Sequence, residues 1–180
     1  MIEKLVSRRY LPEFVYGGID GIVTTFAVVS AAIGASLSPL IVIIMGLANI
    51  FADGFSLSVS QVLAFKSEAE LHMHRPDAMI FERRDKHPLK IGLSTFSSFA
   101  VMGFIPLLPF VLAIINPVFE TNKILYSVIL TAVALALVGA VKGELVRKHP
   151  VEASLETLLL GGIAALLAFI VGYALKSFGV

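Results

Sequence analysis

The stretch "GIVTTFAVVSAAIGASLSPLIVIIMGLANIFA", Gly21 to Ala52, holds no charged residue. A helix needs about 20 mainly apolar residues to cross a bilayer, so this run is too long for one span. "SLSP", Ser36 to Pro39, breaks it: Ser38 can cap a helix and Pro39 suits a first helical turn. The expectation is two antiparallel membrane helices, span one over 12–35 and span two over 39–65.

The rest of the chain repeats the pattern. Ile91 to Phe119 is uncharged and reaches Asn116-Pro117, which predicts span three over 91–115. Pro106 and Pro109 inside it should kink it or end it locally. Spans four and five are expected over 124–146 and 155–176, with Gly161-Gly162 offering close packing in the fifth. No run alternates apolar and polar residues as a barrel wall would. The chain is 57% hydrophobic and 15% charged, with a mean hydropathy of +0.91. A soluble domain is nearer half apolar and a quarter charged. The reading is therefore an all-α, polytopic membrane protein of five transmembrane helices. Residues 1–180 form a single transmembrane domain, with a short cytoplasmic link over 67–88.

Charge settles the expected orientation. With the N-terminus in the cytoplasm, only Lys123 and Lys176 of the 14 Lys and Arg residues lie outside. That is the asymmetry of the positive-inside rule. A net charge of +1 argues against a nucleic-acid partner. With no cysteine, disulfides and thiolate metal sites are excluded, so any metal must be held by oxygen, imidazole or thioether. The N-terminal "MIEKLVSRRYLPEF" lacks the apolar core of a signal peptide.

Acids inside such spans are costly and mark function by default. Asp53 stands in "GLANIFADGFSLSVS", Gly46 to Ser60. On a 3.6-residue helix Asn49, Asp53, Ser56 and Ser60 share a face, with Met45 one turn before and Gln61 at the inner end. A polar stripe of this length should face other helices or a wet cavity. Span one supplies Asp20, with Thr24 one turn on. Gly17, Gly18 and Gly21 beside it leave room for another backbone. Packing between helices is the plainer reading of Ser56, Ser60 and Thr24.

At these residues the chain resembles the vacuolar iron transporter family, which also has manganese-transporting members. The resemblance is carried by "DGIVTTFAVVSAAIGA" (Asp20 to Ala35), "GLANIFADGFSLSVS" and "KSEAE" (Lys66 to Glu70). It continues through "PLLP" (Pro106 to Pro109), "LVGAVKGEL" (Leu137 to Leu145) and "LLLGGIAALLAFIVGYAL" (Leu158 to Leu175). It implies a five-helix homodimer in which metal moves in exchange for protons. The family's span-one pathway carboxylate matches Asp20. Leu57 stands where the family commonly has a methionine, and Asn49 where some members have a glutamate. Met45, toward the outer end of span two, is the substitute thioether. The short form lacks the family's long cytoplasmic metal-gathering domain. Its link keeps Glu68, Glu70, His72, His74, Asp77, Glu82, Asp85 and His87. A solvated charged turn is the plainer reading of that link, and Glu68 and Glu70, next to span two, are its best metal candidates.

The chemistry expected is transport of a divalent transition metal, iron(II) or manganese(II), by metal/proton antiport out of the cytosol. A carboxylate ligates metal only in its deprotonated form, so proton release and metal binding are linked. Asp20 and Asp53 would ligate, with Asn49, Ser56 and Thr24 adding neutral oxygens, a set that suits hard ions such as manganese(II). No cofactor is expected, and no enzyme activity. The partners expected are a second copy, membrane lipid and the ions. The location is the cell membrane of a prokaryote or a vacuole-like membrane of a eukaryote. Three rivals stand beside this: a non-transporting scaffold, a metal sensor, and an intramembrane aspartyl protease. The last is disfavoured because Ile19, not glycine, precedes Asp20. Lys142 and Glu144, at the inner end of span four, are expected to form a salt bridge rather than a metal relay.

Overall fold

The computed structural model describes residues 9–74 and 86–178, with the side chains of 72–74 outside the description. Six α-helices and two 3₁₀ turns follow one another, with no strand among the described residues. Helix α1 is Leu11–Gly34, α2 Pro39–His74, α3 Pro88–Gly103, α4 Leu108–Ile115, α5 Lys123–Leu145 and α6 Pro150–Ser177. Five segments are long and apolar enough to cross a membrane: α1, α2 as far as Leu71, α3 with α4, α5, and α6.

The breaks have local causes. Proline occupies the first turn of α1, α3, α4 and α6, where a missing N–H costs nothing. α1 ends where Ser36 adopts a positive φ of 55°. There the Ser36 N–H donates to the Ile33 carbonyl and the Leu37 N–H to the Ala32 carbonyl, both at 2.9 Å. This closing geometry satisfies carbonyls the helix would leave open. The third span breaks as expected: α3 stops at Gly103, a 3₁₀ turn covers Ile105–Leu107, and α4 resumes at Leu108. Ser127 of α5 donates to the Pro106 carbonyl at 2.7 Å, tying this break to its neighbour.

α1 is the central post, packed against α2, α3, α5 and α6. Its inner-end residues Val15 and Ile22 pack with Ala134, Leu135 and Val138 of α5. Val29 and Ala32, nearer its other end, pack with Val42, Ile43 and Ile50 of α2 and with Leu107 and Phe110. α6 presents Leu155, Leu159, Ile163, Leu166 and Ile170 outward, an apolar wall suited to acyl chains.

Two expectations change. α2 continues unbroken to His74, so the first residues of the expected link, from 67, are helical. "KSEAEL" consists of good helix formers, so the helix outlasts its apolar pattern. Lys142 pairs with Glu156 of α6 at 3.7 Å, not with Glu144, which is exposed. Gly161 does pack tightly, against Leu135, whereas a side chain at Gly162 would meet open space.

Candidate functional site

The approach of α3 to α1 is set by glycine. A Cβ on Gly17 would stand 2.6 Å from the Thr95 carbonyl oxygen, and one on Gly21 would collide with that of Phe99. Only bare backbone fits, so α3 lies directly on α1 and brings Thr95 beside Gly17. α2 lies across the same end of both helices. Between the three is a cleft of about 240 Å³, lined by Glu13, Tyr16, Gly17 and Asp20 of α1, Leu57 and Gln61 of α2, and Thr95 of α3.

Asp20 is half-buried on this wall, and its carboxylate lies within electrostatic reach of Asp53 on α2. One turn away, the Asn49 amide of α2 donates to Thr24 Oγ1 at 3.3 Å and to Thr25 Oγ1 at 3.4 Å. Thr24 itself donates back to the Asp20 carbonyl at 2.9 Å. Asp20, Asn49 and Thr24 are thus brought to one seam between α1 and α2. Ser56, Ser60 and Met45 are not enclosed by it; with Asp53 they lie exposed along α2. Glu68 and Glu70 are exposed on the extension of α2 beyond the apolar segment. His72 and His74 lie on that extension, with side chains outside the described residues, as are Asp77, Glu82 and Asp85 altogether. Among the described residues no group of three or more His, Asp or Glu side chains converges. Within one chain, a donor set at the seam would therefore include neutral oxygens.

Sequence reasoning passed over Glu13. It is 3% exposed and forms an ion pair with Lys86, whose Nζ lies 2.8 and 3.1 Å from its two oxygens. Glu13 is seven residues before Asp20, two helical turns on the same face, and that spacing was the available signal. Leu57 lines the cleft at the level where the family resemblance places a methionine.

A second polar cluster holds the same end of the bundle away from the cleft. Glu156 of α6 accepts from Lys148 at 2.9 Å and lies 3.7 Å from Lys142. The hydrogen bond to Glu156, and then its charge, hold the Lys148 ammonium above its ordinary pKa. This contribution is complete below the ordinary lysine value and is lost only as pH rises through the raised one. Neutral pH therefore leaves it intact.

The VIT family model matches the chain over residues 11–78 and 70–173. Among curated relatives, the vacuolar iron transporter of Plasmodium falciparum is 28% identical, covering 96% of this chain and 84% of its own length. The protein of the same name from Toxoplasma gondii is 25% identical over 94% of this chain and 76% of its own. Vacuolar iron transporter 1 of Arabidopsis thaliana is 25% identical over 93% and 86%. The P. falciparum alignment spans 230 positions against 180 residues here, so that relative carries segments this chain lacks. The two family matches meet at residues 70–78, where α2 gives way to the link. With five membrane-crossing helices and a family match running from the first of them well into the last, this integral, multi-pass membrane protein belongs to the VIT family.

Proposed function

We propose that this chain moves a divalent transition metal, iron(II) or manganese(II), out of the cytosol in exchange for protons. One observation carries the reading: Asp20 lines a cleft between three membrane helices, and Asp53, exposed on the neighbouring antiparallel α2, stands within electrostatic reach of it. Intramembrane carboxylates so placed are the usual ligands and proton acceptors of ion pathways. The relatives' names, vacuolar iron transporter, support the substrate class. The local donors are oxygens, and Leu57 rather than a thioether faces the cleft, which favours manganese(II) over softer ions.

Each ligating carboxylate must lose its proton to bind metal and regains one as metal leaves. The two fluxes are thereby coupled without a nucleotide. Asn49, held by Thr24 and Thr25, orients its amide at the seam, and Thr24 adds a hydroxyl. Asp53, Ser56, Ser60 and Met45 line an exposed face of α2. A charged stripe cannot rest against acyl chains without cost. A second copy seated there as a homodimer would cover it and double the donors across a two-fold axis. The N-terminus lies in the cytoplasm, by the distribution of Lys and Arg, so the mouth beside Glu13 opens to the cytosol.

The test is metal uptake into proteoliposomes, with and without a pH gradient, using iron(II) and manganese(II). Asp20→Asn and Asp53→Asn should each reduce pH-driven uptake to the level of empty liposomes while the protein still inserts. Wild-type uptake in both variants overturns the proposal. Binding without uptake by the wild type would support the sensor reading instead.

A further inference from the structure

The first turn of α1 and the start of α3 hold a buried ion pair that the exchange chemistry leaves unused. The side chains of Lys86 and Glu13 are only 12% and 1% exposed. Lys86 Nζ also sits 5.8 Å from the centre of the Tyr10 ring, within cation–π range. Tyr10 fixes the backbone next to it: its hydroxyl accepts from the His87 N–H at 3.0 Å, and its carbonyl accepts from Ser94 Oγ at 3.3 Å. The ammonium is therefore aimed, with the chain that follows it held to Tyr10.

Removing two charges from water is costly, and an apolar pair would fill the same space at less cost. The cleft gives the pair a different use. Glu13 belongs to the wall that also carries Asp20, about 10 Å further along the α1 axis by helical rise. A cation entering from this end meets the Glu13 carboxylate before it meets Asp20, and finds an ammonium already there.

We propose that Lys86 is a built-in competitor for the metal: its ammonium occupies Glu13 until a divalent ion displaces it, and so sets the concentration at which the cleft loads. This rests on the transport reading above. A lysine suits the role because its compact charge rides on a flexible four-carbon stem and is readily rehydrated. His87, the next residue, is exposed, so a displaced ammonium has water within its reach. A divalent ion brings twice the charge to the same carboxylate, whereas a monovalent ion gains nothing over the ammonium. The pair thus filters by charge ahead of the ligands deeper in the seam.

The experiment uses the full chain and manganese(II) as the probe. Binding is read in detergent from the loss of the free-ion electron paramagnetic resonance signal, and uptake is read in proteoliposomes. Lys86→Gln should lower the half-saturating manganese concentration by roughly ten- to a hundredfold, as expected when one charged hydrogen-bonded partner is removed, and leave the maximal uptake rate unchanged. Lys86→Arg, whose planar fork grips both oxygens, should raise that concentration by about two- to fivefold and provides the test should the Gln variant not fold. A purely structural pair predicts loss of thermal stability with the half-saturating concentration unmoved. That result, or an Arg variant that loads as easily as wild type, overturns the proposal. Wild-type protein that binds manganese without moving it would end the transport reading and leave the competitor to be judged on binding alone. Wild-type protein that binds none would end both.

Discussion

α1 is gripped on two sides in opposite ways. Against α3 it offers glycine, and the contact is backbone to backbone, with Thr95 and Phe99 carbonyls where side chains would be. Against α2 it offers threonine, and the contact at the seam is Asn49 hydrogen bonded at 3.3 and 3.4 Å. Half of α1's most apolar window is buried, against 28% of that of α2. The two acids are divided between these regimes. Asp20 rides on the best-anchored helix of the bundle, and Asp53 on one whose outer face the single chain leaves uncovered. A carboxylate on a well-covered helix, paired with one on a helix less covered by its own chain, is an arrangement in which the distance between them can change.

The strongest way to break this comparison is to fill the tight seam. Gly21→Val would drive a branched side chain into the Phe99 carbonyl and should cost about 3 kcal/mol or more. The expected result is loss of monodisperse protein or a fall of many degrees in melting temperature in detergent. A wild-type melting curve would show that the two seams do not differ as described. The exposed side of α2 can be probed next, because a chain with no cysteine accepts single labels cleanly. Ser56→Cys should form a cross-linked dimer in membranes, whereas Leu93→Cys, exposed on α3, should not. Equal cross-linking at both positions would remove the case for a specific partner on α2. The smallest effect belongs to Asn49→Ala, which should cost only about 0.6 kcal/mol, a typical bond between membrane helices, while lowering uptake more than that loss of stability explains. Unchanged uptake would reduce Asn49 to packing.

Much of this was readable from residue order because membrane spans impose length and apolarity directly. The uncharged run, its break at Ser36 to Pro39, and the interruption at Pro106 and Pro109 all reappear as helix ends. Helical spacing placed Asn49 on the face that meets Thr24 and Thr25 and glycines beside Asp20, where α3 packs closely. What lay hidden depends on pairing across long separations. Glu13 and Lys86 are 73 residues apart, and nothing local to either marks the other. Lys142 had an acid at a nearby position, yet the neighbouring helix supplies its partner. The extension of α2 was missed because charge was read as a turn, although Ser67 to Leu71 contains no helix breaker.

That extension has a mechanical consequence. Thirty-six residues make a rod of about 54 Å, while the hydrocarbon core is about 30 Å thick. One uninterrupted helix therefore joins Asp53 to a segment longer than the hydrocarbon core, with the exposed Glu68 and Glu70 near its end. A tilt or roll at one end is carried along the helix toward the other, since no break in it separates the two. A reporter at residue 68 would accordingly register what happens to an acid inside the bilayer.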